Sequence, residues 1–140
     1  MYSARICIHP LMPNATNGQH VTVGGRSVDA LSVSGSPPSF AVTFDAVSEI
    51  LSTLPGMFLE PDGSFAWTGT SGEQPWRIEG VLYDAGPSLS YVALSGNCPP
   101  DEFDQFLAAL GWPAAPIMFQ LIDAGVFINE EEFRRFASGD

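Results

Sequence analysis

MFLEPDGSFAWTGTSGEQPWRIEGVLYDAGPSLSYVALS, residues 57–95, is the stretch that decides the fold. Glycine, proline and small polar residues concentrate at 61–63, 69–75 and 84–88, as they do in turns. The four segments between these turns are short and largely alternate apolar with other residues, as half-buried strands do. The stretch therefore predicts an antiparallel meander of four strands.

Proline, aspartate and glycine at 61–63 suit a tight turn, and this turn sets the register of the first two strands. The register places Leu59 opposite Phe65 and Met57 opposite Trp67, with all four side chains on one face. One face of the meander is therefore predicted to be apolar and to lie against the core.

The opposite face of the third strand carries polar and aromatic side chains. Arg77, Glu79 and Tyr83 project together from this face, and Tyr91 of the fourth strand joins them if the register allows. A guanidinium, a carboxylate and aromatic rings on one face can bind a ligand or a partner, so these four residues are the candidate site. The alternative is a solvated face whose charges pair across strands and whose rings pack on their neighbours.

The N-terminal region contains two further strand signals. Residues 5–9 alternate as a short strand does, with Ile6 and Ile8 on one face. Residues 20–30 are typical of a hairpin with glycines at 24–25 in its turn, which would place Val21 opposite Val28. The position of these strands relative to the meander is not determined by the sequence.

Two helices have side-chain caps that can be recognised in the sequence. Thr43 is the predicted N-cap of the first helix, which ends at the Pro–Gly pair at 55–56. Asn129 is the predicted N-cap of the last helix, with Glu132 in the capping-box position and Arg134 near its end.

The region between these helices predicts two more. Asn97 or Cys98 is expected to cap a helix that ends at Gly111. Residues 116–124 are apolar on most sides and are interpreted as a short buried helix, although a strand is possible over so short a segment.

Taken together, these elements predict a single α+β domain over residues 1–140. Its expected architecture is an antiparallel β-meander of about four strands, extended by the N-terminal strands if they pair with it, and packed against three to four helices. Ten phenylalanines and three tryptophans supply enough apolar volume for such a core.

The charge of the chain is strongly one-sided. It has no lysine, five arginines and 16 carboxylates, for a net charge of −11. Because phosphate backbones and anionic lipid surfaces would repel it, nucleic acid and membranes are not expected partners. A basic protein is the favoured charged partner, although excess negative charge also serves solubility alone. The absence of lysine beside many glycines and prolines suggests a GC-rich coding sequence, typical of bacteria.

No residue set forms a catalytic or metal-binding signature. Cys7 and Cys98 lack metal-ligand spacing, so we expect free thiols, no metal and no cofactor. Cys98 precedes a predicted helix, whose N-terminus can stabilise a thiolate. The favoured interpretation is that Cys98 is a small apolar residue with a structural role. Without a signal peptide or an apolar segment that could cross a bilayer, the expected location is the cytoplasm.

Three functional hypotheses remain. The first is a non-catalytic acidic protein-binding domain of the adaptor or inhibitor type. The second is a small enzyme or ligand binder that uses carboxylates or Cys98 in a cleft between sheet and helices. The third is a structural subunit of a homo-oligomer. The sequence leans away from an enzyme and leaves the oligomeric state open.

Overall fold

The computed structural model describes residues 1–139, which form nine strands and three helices. The strands are β1 (Tyr2–Pro10), β2 (Thr16–Val23), β3 (Arg26–Ser32), β4 (Met57–Leu59), β5 (Ser64–Ser71), β6 (Gln74–Ala85), β7 (Ser88–Cys98), β8 (Ile117–Leu121) and β9 (Val126–Ile128). The helices are α1 (Phe44–Leu51), α2 (Pro100–Ala109) and α3 (Glu130–Ala137). None of the three helices is long and apolar enough to cross a membrane.

All nine strands belong to one antiparallel sheet with the order β2-β3-β9-β8-β1-β7-β6-β5-β4. The expectation of a four-stranded meander against three or four helices was therefore wrong, since 48% of the chain is strand and only 19% is helix. The physical reason is the position of β1, which pairs with β7 on one side and β8 on the other. This central strand joins the meander to the strands at both ends of the chain.

Residues 117–121 form strand β8 rather than the expected short helix. Ile117, Met118 and Phe119 are all buried, so both faces of the interior strand β8 carry buried apolar side chains. A strand with buried side chains on both faces loses its alternation of apolar and polar residues, so its sequence resembles a buried helix. The three-residue strand β9 was too short to be recognised.

The registers predicted for the two hairpins are confirmed. Leu59 pairs with Phe65 and Met57 pairs with Trp67, and Val21 pairs with Val28. The hairpin turn at Gly24 and Gly25 has φ angles of 56° and 80°, which residues with a side chain rarely adopt.

Two of the three predicted helix caps are confirmed. The Thr43 side chain accepts a hydrogen bond from the Ala46 N–H, and the Asn129 side chain accepts one from the Glu132 N–H. The cap predicted at Asn97 or Cys98 was wrong, because β7 continues through Cys98 in its pairing with β1. Helix α2 begins instead after Pro99, without a side-chain cap.

The three helices pack on one face of the sheet and form a single core with it. Their buried side chains belong to one cluster with alternate residues of the strands, including Ile6, Ile78, Val92 and Phe119. The other alternate residues point away from this core. No helix of residues 1–139 packs on that opposite face, which we call the uncovered face of the sheet.

Candidate functional site

Four rings in contact form a row across the uncovered face, and we call them the aromatic row: Tyr83, Tyr91, His9 and Phe127. The ring centroids of Tyr83 and Tyr91 are 4.6 Å apart with an interplanar angle of 16°. His9 follows 5.2 Å from Tyr91 at 21°, and Phe127 contacts His9 at 5.6 Å in an edge-on arrangement. The row thus links strands β6, β7, β1 and β9.

A second row of smaller side chains runs beside the aromatic row. It begins next to Phe127, and its half-buried members follow one another through the register of the sheet: Gln120, Cys7, Ala93 and Val81. Most of these side chains are short or apolar. The centre of the uncovered face is therefore smooth and largely apolar, with the aromatic rings along one side.

All four candidate residues lie on the uncovered face, but as two separate pairs. Tyr83 and Tyr91 are cross-strand partners. Arg77 and Glu79 form an ion pair of 3.1 Å, in which the arginine side chain is 58% exposed. Because Glu79 and Tyr83 are four residues apart in one strand, about 13 Å separates the two pairs. The rings lie toward one end of the face, and the Arg77–Glu79 ion pair lies toward the other, which we call the polar end.

His9 and Phe127 were not recognised from the sequence as members of this site. His9 alternates with Cys7 on β1, so the shared face of these two side chains could have been inferred from spacing alone. The position of His9 beside Tyr91 could not be inferred in this way, because it depends on pairing between β1 and the distant strand β7.

His9 is a buried polar side chain whose ring is surrounded by other side chains of the row. It is 8% exposed, and its Nε2 lies 3.3 Å from the Gln120 Oε1. Burial lowers the pKa of His9, and the hydrogen bond to Gln120 opposes this effect only in part. At neutral pH His9 is therefore a neutral member of the aromatic row.

We expect His9 to make the protein less stable at mildly acidic pH. The unfolded chain takes up a proton near the ordinary pKa of about 6.5, whereas the folded chain takes it up only at lower pH. The free energy of unfolding should therefore fall as pH decreases below about 6.5, with a slope of at most about 1.4 kcal/mol per pH unit. Urea unfolding of wild type and His9→Phe between about pH 5 and 7.5 tests this. An unchanged slope in the variant would contradict it.

Neither thiol is activated as a nucleophile. Burial raises the pKa of Cys7. Burial, with a smaller contribution from the negative charge of Glu102, raises the pKa of Cys98 to about 12. The Cys98 Sγ donates to the Pro99 carbonyl at 3.3 Å, so this thiol is a buried structural group. Both thiols are therefore protonated at neutral pH.

Two carboxylates lie beside the Tyr83 end of the aromatic row, and we call them the acidic rim: Glu60 and Asp62. They belong to the turn between β4 and β5, which the Leu82 N–H contacts through a 2.9 Å hydrogen bond to the Gly63 carbonyl. Both residues are exposed, and neither has an ion-pair partner within residues 1–139.

Every arginine already has an acceptor within the chain. Arg5, Arg77, Arg134 and Arg135 pair with carboxylates, and Arg26 donates to the Phe136 carbonyl at 2.7 Å. Nine carboxylates of residues 1–139 are left without an ion pair: Asp45, Glu49, Glu60, Asp62, Glu73, Asp84, Asp101, Glu102 and Glu131. Most of the negative charge is therefore not neutralised by ion pairs within residues 1–139.

One arginine and one glutamate of helix α3 protect a strand edge. Strand β3 pairs with β9 through only one residue pair, Leu31 with Phe127. Beyond this pair, helix α3 takes the place of a neighbouring strand. The Glu132 carboxylate accepts from the Asp29 N–H at 3.3 Å, and the Arg135 guanidinium donates to the Ser27 carbonyl at 2.8 Å. The open edge of β3 is thereby satisfied by side chains.

A shallow depression of about 190 Å³ lies next to the acidic rim, and its lining includes Phe58, Glu60 and Ser64. A cavity of about 540 Å³ lies at the junction of β3 and β9, and its lining includes Val21, Ala30 and Val126. A smaller depression of about 210 Å³ lies between Arg5 and Glu79 at the polar end of the uncovered face. Within residues 1–139, no three potential metal ligands of the His, Cys, Asp and Glu types come close enough to hold an ion.

Comparison with known proteins adds no function. Models of protein families, curated protein sequences and solved structures were all searched, and none matches this chain. The functional argument therefore rests on the residues themselves.

Proposed function

We propose that this protein is a non-catalytic protein-binding domain of the adaptor or inhibitor type, and that a basic partner docks on the uncovered face of the sheet. The observation that carries the proposal is the exposed end of the aromatic row. Tyr83 is a large ring that is 41% exposed, and the turn beside it carries the unpaired carboxylates of the acidic rim. Aromatic side chains are enriched at the centres of protein interfaces, and complementary charge guides such partners together.

Single-stranded RNA is the other partner that uses rings on an open antiparallel sheet, because its bases stack on them. Such binding also requires cations for the phosphates. In this chain the net charge is −11, and each arginine already has an acceptor. The electrostatic balance therefore favours a basic protein over a nucleic acid.

A catalytic role that uses Cys98 has less support. A nucleophilic thiol needs a lowered pKa, whereas burial raises the pKa of Cys98 to about 12. Its Sγ is also inaccessible to a substrate, because the residue is 1% exposed. These two facts are why the proposal leans to binding.

A positive charge introduced at the centre of the uncovered face tests the proposal. Ala93→Arg places a cation in the row of small side chains, whereas Ala108→Arg places the same charge on an exposed position of α2, on the other side of the sheet. With a short peptide of mixed lysine and arginine as probe, Ala93→Arg is expected to weaken binding at least about tenfold. Ala108→Arg is expected to change it by less than about threefold.

Binding of this probe should also decrease as NaCl is raised from about 0.1 M to about 1 M, because the screening length falls from about 10 Å to about 3 Å. Fluorescence anisotropy of a labelled peptide measures both effects. Equal losses in the two variants would show that the probe reads only net charge, and would contradict docking on the uncovered face.

Self-association is the second candidate, because the uncovered face also carries Phe58, an exposed apolar ring on edge strand β4. Phe58 is 66% exposed. Two copies would each bring a charge of −11, so high salt should strengthen their association by screening the repulsion. Sedimentation equilibrium at low and high salt therefore separates the two candidates, since binding to a basic partner has the opposite salt dependence.

A further inference from the structure

Tyr83 is the last ring of the stack, and among residues 1–139 no ring lies against the face that points away from Tyr91, which we call its free face. The centroid spacings along the stack are 4.6 Å from Tyr83 to Tyr91 and 5.2 Å from Tyr91 to His9. These steps are close to the spacing of neighbouring strands, which is about 4.8 Å. Tyr91 covers one face of the Tyr83 ring, and among residues 1–139 no further ring contacts its other face. The 41% exposure of Tyr83 is consistent with that open face.

The next step of the stack leads toward the turn between β4 and β5. Ser64 of β5 pairs with Val81 of β6, and the Leu82 N–H donates to the Gly63 carbonyl at 2.9 Å. Continuation of this register places Asp62 at the level of Tyr83. The position beyond the free face of the ring is therefore next to a turn that carries carboxylates and no aromatic side chain.

Ser64 holds these carboxylates in place. Its hydroxyl lies 2.6 Å from the Asp62 Oδ1 and 3.2 Å from the Glu60 Oε2, and its backbone N–H donates to the same Asp62 oxygen at 3.0 Å. These hydrogen bonds from Ser64 lower the pKa of Asp62. Asp62 therefore remains charged at neutral pH. Neither Asp62 nor Glu60 has an ion-pair partner within residues 1–139.

We propose that the free face of Tyr83, together with the Asp62 and Glu60 carboxylates, binds an arginine side chain of the partner. The inference rests on the protein-binding function proposed above and names the group that this function recognises. A guanidinium is planar, so it can stack on the ring and continue the row by one step. Its N–H groups lie in the plane of the guanidinium, parallel to the ring, and can donate to the carboxylates while the group stacks.

A lysine ammonium satisfies this site less well than a guanidinium. It is compact and strongly hydrated, and it has no planar surface to stack on a ring. The chain itself contains a guanidinium that lies over a ring and donates a hydrogen bond at the same time, since the Cζ of Arg26 lies 4.0 Å from the Phe136 ring centroid while its Nη1 donates to the Phe136 carbonyl. The site should therefore prefer arginine to lysine at equal peptide charge.

Two capped peptides of equal length test this preference, one of alternating arginine and glycine and one of alternating lysine and glycine. Fluorescence anisotropy at about 0.1 M NaCl should show about tenfold tighter binding of the arginine peptide. Tyr83→Ala is expected to remove this difference by weakening only the arginine peptide. Tyr83→Phe keeps the ring and should retain most of the difference.

A matched pair of charge variants isolates the acidic rim. Asp62→Asn and Glu49→Gln each remove one exposed carboxylate, but Glu49 lies on helix α1 and away from the site. Asp62→Asn should weaken the arginine peptide several-fold more than Glu49→Gln does.

The failures of the two proposals give different results. If wild type binds both peptides with equal affinity and Ala93→Arg loses binding of both, the arginine site is overturned. Docking on the uncovered face is then still supported. Both proposals are overturned if Ala93→Arg, Tyr83→Ala and Ala108→Arg change the peptide affinities equally. They are also overturned if neither peptide binds.

Discussion

Replacement of Phe133 by alanine is expected to lower the free energy of unfolding by about 3–5 kcal/mol, the range for a buried phenylalanine. Phe133 of α3 is fully buried and stacks on Phe119 of the sheet with a centroid separation of 4.1 Å. It also contacts the rings of Phe103 and Tyr2 at 5.4 and 5.8 Å. One ring therefore connects helices α3 and α2 with the central strand β1 and its neighbour β8.

Phe58→Ala is the matched control for Phe133→Ala, because it removes the same group from an exposed position on edge strand β4. We expect a loss of less than about 1 kcal/mol in the control. Urea unfolding with an unchanged denaturant slope measures both values. Similar losses in the two variants would contradict the packing of α3 on β8 and β1.

The second large effect is expected for Arg134→Met, which should cost about 2–4 kcal/mol. The Arg134 side chain is only 24% exposed and pairs with Asp104 at 2.8 Å and Glu130 at 2.9 Å. It donates to the Tyr2 hydroxyl at 3.0 Å and lies 5.3 Å from the Trp112 ring. Burial alone would lower the pKa of Arg134, but its hydrogen bonds to these groups raise it on balance. The variant leaves two partly buried carboxylates uncompensated.

The same substitution at Arg77 provides the comparison for Arg134→Met. Arg77 has one carboxylate partner, and both side chains are well exposed. Exposed pairs contribute about 0–1 kcal/mol, because water and salt screen them. Thermal and urea unfolding should therefore separate Arg134→Met from Arg77→Met by more than about 1 kcal/mol. Equal effects would mean that Arg134 makes no more than a surface ion pair.

The fold could be predicted wherever its pattern was local. The registers of Leu59 with Phe65 and of Val21 with Val28 follow from short turns, and both are confirmed. The position of β1 could not be predicted, because it depends on pairing with β7 and β8, more than eighty residues away in the chain. Burial of β8 on both faces also removed the alternation that would have identified it as a strand.

The candidate site could be predicted only in part, for the same physical reason. Tyr83 and Tyr91 lie in consecutive strands of the meander, so their common face follows from a local hairpin. His9 and Phe127 enter the aromatic row through long-range pairing. Arg77 and Glu79 form an ion pair at the other end of the face. Their distance from the tyrosine pair follows from the rise per residue along a strand and could have been predicted from the sequence.

The measurement that tests docking on the uncovered face most directly is chemical-shift mapping of the ¹⁵N-labelled protein during titration with the arginine–glycine peptide. We predict that the largest changes fall on Asp62, Val81, Tyr83, Tyr91 and Ala93, and that about 1 M NaCl suppresses them. The backbone signals of α1 and α2 should change little, since these helices lie on the other face of the sheet. Changes centred on the acidic residues of those helices, or spread evenly over the surface, would contradict the proposal.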